Sequence, residues 1–130
     1  MKYYFAKTFA SDFKTVIQQT KESLSAEGFG VLTEIDIRDK LKEKLDVDFR
    51  KYIILGACNP AYAYKALQEE DKIGTMLPCN VIVQEISNNQ IEVAAIDPIA
   101  SMMAIQNPNL HHIATEIQNK LKTVINNISL

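Results

Sequence analysis

Two apolar segments, Cys79 to Ile86 and Gln90 to Ile96, stand so close in the chain that they can pair only as an antiparallel hairpin. Asn88-Asn89 lies between them, and asparagine enters the left-handed backbone region more readily than most residues, which suits a two-residue turn. The turn also predicts a register. With Asn88 and Asn89 at the tip, Ser87 faces Gln90, and counting outward sets Asn80 opposite Asp97.

The unbroken apolar run Tyr52 to Cys58 predicts a third strand, buried on both faces. Asn59-Pro60 ends it and opens a helix, because Asn caps well and Pro fits the first helical position. Ala63, Ala66 and Leu67 are its expected buried side, and Glu69-Glu70-Asp71 its frayed end. Tyr3 to Thr8 reads as a first strand. A helix over about 11–27 follows, capped by Ser11, with Phe13, Val16, Ile17, Thr20 and Leu24 as one stripe and Gly28 as a left-handed stop. Val31, Thr33, Ile35 and Ile37 alternate with Leu32, Glu34 and Asp36, the period of a half-buried strand. Asp36 or Asp39 then caps a short helix with Ile37, Leu41 and Leu45 turned inward. Asp97-Pro98 closes the hairpin and leads into a short apolar helix through Ile99, Met102 and Met103. Asn107-Pro108 repeats the cap signal and opens the longest helix, with Leu110, Ile113, Ala114, Ile117, Leu121, Ile125 and Ile128 on one face.

This order favours an α+β fold, with a mainly antiparallel sheet covered on one face by helices. A parallel doubly wound sheet is the alternative, and the absence of a glycine-rich strand-to-helix turn weakens it. No Gly/Pro/Ser-rich stretch suggests a linker, so residues 1–130 read as a single domain.

Charge and composition exclude several partner classes. The net charge is −2 and lysines are interspersed with acids, so no concentrated basic surface offers itself to nucleic acid. No apolar stretch approaches the ~20 residues of a membrane span, and the opening segment is interrupted by Lys7 too early for a signal peptide. Cys58 and Cys79 are too few for a disulfide scaffold and lack paired zinc spacing, which points to a reducing, cytoplasmic setting without a metal site.

The polar residues that stand out are Cys58, Asn59, Pro60, Pro78, Cys79, Asn80 and Asp97. If the Tyr52–Cys58 strand runs antiparallel beside Cys79–Ile86, then Cys58, Cys79, Asn80 and Asp97 gather at one sheet edge, below the helix that starts at Asn59-Pro60. Such a convergence beside a helix N-terminus suits a small ligand. Cys58 just before that helix could carry thiolate character, with Cys79 as its partner; equally, both are ordinary buried thiols. His111 and His112 are neighbours on a helix and point about 100° apart, which suits exposed structural positions rather than a shared metal. Met76, Met102 and Met103 read as core filler or interface.

Gly56-Ala57-Cys58-Asn59-Pro60, Ala63-Tyr64-Lys65-Ala66-Leu67, Leu77-Pro78-Cys79-Asn80-Val81-Ile82-Val83 and Asp97-Pro98, preceded by Gly28-Phe29-Gly30-Val31-Leu32-Thr33-Glu34-Ile35-Asp36, together resemble the domain of unknown function 302 family. The likeness runs over about residues 28–103. It implies a bacterial or archaeal α+β domain with a curved antiparallel sheet backed by helices, of TATA-binding-protein-like architecture, that pairs as a homodimer. It implies no substrate, cofactor or reaction. Tyr62, Tyr64, Met102, Met103 and Ile105, apolar residues outside the clear stripes, add to the expectation of a dimer.

The leading expectation is therefore a homodimeric binding domain, with a small ligand held by Cys58, Asn59, Pro60, Cys79, Asn80 and Asp97. A thiol-based redox or metal-handling protein using Cys58 and Cys79 is the second. A structural interaction module is the third. Neither catalysis nor a cofactor is assigned.

Overall fold

The computed structural model describes residues 2–130. Strands β1 (Tyr4–Ala10), β2 (Gly30–Asp36), β3 (Tyr52–Cys58), β4 (Cys79–Ser87) and β5 (Gln90–Ile96) form one sheet in the order β1-β5-β4-β3-β2. Every neighbouring pair is antiparallel, so the doubly wound alternative falls. The helices are α1 (Phe13–Ala26), α2 (Ile37–Leu45), α3 (Pro60–Glu69), α4 (Pro98–Ser101) and α5 (Pro108–Asn127).

Along β3, β4 and β5 the odd-numbered residues turn toward the helices. Leu55, Val81, Val83, Ile91 and Val93 are fully buried there, against Val16 and Leu24 of α1 and Leu110, Leu121 and Val124 of α5. The whole expected stripe of α5, Leu110 through Ile128, is buried. Between the two long helices Ser23 Oγ donates to the Val124 carbonyl at 2.6 Å, so a buried hydroxyl is satisfied where the helices touch.

Several local expectations are corrected. α1 is capped by Asp12, whose carboxylate accepts from the Thr15 amide at 2.9 Å; Ser11 lies outside the helix. Asp36 caps α2, but that helix buries nothing: Ile37 and Leu41 are half-buried and Leu45 is exposed. In α3 Ala66 is buried while Leu67 faces solvent, and Tyr62 packs against the core instead. The acidic end of α3 does not fray. It continues into a 3-10 segment, Asp71–Met76, that buries Ile73 completely.

Two bulges alter which face each residue takes. Asn89 has φ 57°, the one residue of the Asn88-Asn89 turn in the left-handed region, and Ser87 faces Gln90. Between Glu85 and Ser87 the register then shifts, so Glu85 faces Ile91 and Val81 faces Ala95. One extra residue, Ile86, displaces every later pair by one. The expected Asn80–Asp97 pair is therefore absent: Asn80 is exposed, while Asp97 is buried on the helix side. Leu32 plays the same part in β2, between the pairs Val31–Ala57 and Thr33–Gly56. Val31 packs on the core, whereas Thr33 and Ile35 lie on the opposite face, and Glu34 meets Lys21 of α1 at 2.9 Å.

Candidate functional site

β3 ends where β4 begins. Ala57 faces Cys79 across this pair, and Cys58 faces Gly30 on the other side. Cys58, Asn59 and Cys79 share a void with Phe29, Ala63, Met102 and Ile117, but the void measures only about 20 Å³. That is room for about one water molecule, not for a metabolite. Both thiols are free. Burial, and after it the neighbouring Cys58, push the Cys79 thiol from its usual 9.0 up to about 11, so it stays protonated at neutral pH.

Asn59 precedes α3 without a side-chain cap. Its Nδ2 instead donates to the Glu27 carbonyl at 3.3 Å, tying the end of α1 to the start of α3. Gly28, at φ 85°, makes this approach feasible: a Cβ there would stand 3.2 Å from Asn59 Nδ2. Pro60 is exposed at the first position of α3. Asp97 ends β5 at the same end of the sheet, with a different set of partners. Its Oδ1 accepts from the Ile99 amide at 3.0 Å and from Gln118 Nε2 of α5 at 3.1 Å. Its own amide donates to the Tyr3 carbonyl at 2.7 Å. Asp97 thus fastens α4, α5 and β1 together. Replacing it by Ala should cost about 1–3 kcal/mol in a urea melt, and Asp97→Asn, which keeps the acceptor, clearly less. Equal losses would show that the acceptor is not what stabilises this junction.

The roomier site lies on the other face. The even-numbered residues Asn80, Ile82 and Gln84 of β4 and Glu92, Ala94 and Ile96 of β5, with Tyr3, Tyr4 and Tyr52, line an open groove of about 380 Å³. Ala6, Ala94, Ile82, Ile54 and Ile35 face one another from strand to strand, an apolar row across all five. At one end Arg50 Nε donates to Gln84 Oε1 at 2.8 Å, and Gln84 Nε2 donates to Glu92 Oε1 at 2.9 Å. Of the six expected ligand residues only Asn80 reaches this groove. Gln84 and Glu92 are direct cross-strand partners, a relation hidden in the sequence by the Ile86 bulge.

Among the residues expected at a dimer surface, only Tyr64 and Met103 are exposed; Met102 is buried, and Tyr62 and Ile105 pack partly on the core. His111 and His112 are exposed, with His111 Nε2 3.1 Å from the Ile105 carbonyl. Among the described residues no group of three or more His, Cys, Asp or Glu is placed to hold a metal ion, and no helix is long and apolar enough to cross a membrane.

The model of the family described as domain of unknown function DUF302 matches residues 5–128. The chain belongs to this family. Its fold is similar to that in the crystal structure of an uncharacterized conserved DUF302 protein from Bacillus stearothermophilus, with a TM-score of 0.91 and 28% identity. That match covers 99% of this chain and 100% of the other. No curated protein matches. The family name carries no activity, so a function has to be argued from the geometry of this member.

Proposed function

We propose that this DUF302 chain is a homodimeric small-ligand-binding domain, and that the ligand lies on the open face of the sheet rather than beside the thiols. The apolar floor of Ile82, Ala94 and Ile96 carries this reading, in a groove of about 380 Å³ against about 20 Å³ at Cys58 and Cys79. The groove also combines an apolar floor with a few polar groups at its rim, the usual make-up of a small-molecule site. The apolar row from Ala6 to Ile35 supports pairing through the same face, since a second copy laid over it would close the groove. Two free cysteines suit a reducing, cytoplasmic setting. Thiol chemistry has less support, because one of its two sulfurs is buried and held protonated.

A titration with 2-phenylethanol, followed by amide NMR, tests the site. Shifts should concentrate at Ile82, Ala94 and Ile96; shifts confined to Cys58 and Cys79 would overturn the placement. Sedimentation tests the pairing. Twice 14.7 kDa is expected for the parent protein and a folded monomer for Ile82→Glu. A 14.7 kDa parent species at micromolar concentration would remove the dimer from the proposal.

A further inference from the structure

We infer that the ligand of the open groove is an organic amine, an ammonium group on an apolar body, with Glu92 as its counter-ion. This rests on the groove being the binding site, as proposed above. Glu92 is the sole charged residue among the described residues that line it. Glu92 is half-buried, and among the described residues it has no ion-pair partner. Thr8, directly across on β1, and Gln84, directly across on β4, are both neutral.

The hydrogen-bond chain fixes the orientation of the groups around it. Because Arg50 Nε donates to Gln84 Oε1, the Gln84 amide must point its NH2 at Glu92, where it occupies Oε1 at 2.9 Å. No hydrogen bond within the protein claims Oε2 among the described residues, and a carboxylate oxygen in this setting accepts best from a charged donor. Arg50 does not supply that donor to Glu92. Its guanidinium lies over the Phe49 ring at 4.4 Å and the Tyr52 ring at 5.6 Å.

The aromatic residues point to the same chemistry. Tyr3, Tyr4 and Tyr52 border the groove, and two of them already attract cations of the chain: Lys2 Nζ stands 5.9 Å from the Tyr4 ring centre, and Arg50 lies beside Tyr52. Tyr52 lies at the Glu92 end of the groove, across Gln84, where a tyrosine face can attract an ammonium group, whereas Tyr4 faces Ile96 at the far end. Ile82, Ala94 and Ile96 between them require the rest of the ligand to be apolar. An anionic ligand would meet Glu92 with no lining cation to offset it.

Three probes of similar shape separate the possibilities: 2-phenylethylamine, neutral 2-phenylethanol and anionic 3-phenylpropionate, each titrated into labelled protein and followed by amide NMR. The amine should bind about ten-fold tighter than the alcohol, and the anion weakest. Glu92→Gln, which keeps the shape and the contact with Gln84, should reduce the amine to the affinity of the alcohol and leave the alcohol unchanged. If the alcohol or the anion binds this face as well as the amine, the amine assignment is wrong and the groove stands. If Glu92→Gln leaves the preference for the amine intact, Glu92 is not the counter-ion. If none of the three shifts Ile82, Ala94 or Ile96 at millimolar concentration, the groove reading falls together with the inference.

Discussion

Ile117→Asp is expected to destabilise the protein by roughly 4–5 kcal/mol, read as a large drop in the urea midpoint. Ile117 is 5% exposed, in the middle of the buried stripe of α5, and it borders the small void beside Ala57 and Cys79. Among the described residues no lysine or arginine borders that void, and the neighbouring polar group on α5, Gln118, already serves Asp97. A carboxylate at this position must lose its hydration, take up a proton or push α5 off the sheet. Ile117→Ala makes the necessary comparison. It removes the same packing without adding a charge and should cost about 2–4 kcal/mol, leaving a folded protein with a lowered urea midpoint. A loss below about 1 kcal/mol for Ile117→Asp would mean that α5 is not docked through this face.

That helix was also the most legible part of the chain. Its stripe repeats over 20 residues, so many turns agree on one face, and Asn107-Pro108 marks its start. The hairpin turn was legible for a different reason: asparagine tolerates positive φ, and Asn89 adopts it. What could not be read were the places where one residue breaks a period. Side chains on a strand alternate with period two, so a single added residue reverses every face beyond it. Nothing in Glu85-Ile86-Ser87 differs from an ordinary strand, and the register counted from the turn therefore fails at Ile86. Leu32 does the same to β2.

The bulge had its largest consequence at the site. In the unbroken register Asn80 meets Asp97, and the polar residues collect in one cluster at the thiol end. In the observed register they stay at one end of the sheet, but Asn80 and Asp97 take opposite faces. Asp97 turns inward to bind the Ile99 amide and Gln118, while Asn80 turns outward to the groove. The same shift brings Gln84 opposite Glu92. Arg50, 34 positions before Gln84, joins them through the β3–β4 pairing, and no local pattern could announce that contact. The motif at Cys58 to Pro60 was one of the segments that together resemble the family, yet in the fold it is occupied with packing: Asn59 bridges two helix ends, and the thiols border a void of about 20 Å³.

Between about pH 9 and pH 11 the protein should lose roughly 2–3 kcal/mol of stability through Cys79 alone. In the unfolded chain this thiol ionises near 9.0, whereas in the fold burial and then Cys58 hold it protonated up to about 11. Over that window the folded state binds more protons than the unfolded state, so raising the pH favours unfolding. The contribution is intact below pH 9 and falls away as the pH climbs toward 11. Urea unfolding of the parent protein and of Cys79→Ala, each at pH 8 and at pH 11, isolates the contribution of this thiol. Cys79→Ala should be the less stable at pH 8, from the packing it gives up, and should lose about 2 kcal/mol less than the parent on going to pH 11. Parallel losses in the two proteins would show that the Cys79 thiolate is tolerated in the fold. That result would restore the thiol pair as a candidate for chemistry, because a thiolate accepted beside Cys58 could attack or ligate. The expected divergence instead makes Cys79 a core residue, and leaves half-buried Cys58 as the sulfur that an added alkylating reagent reaches first.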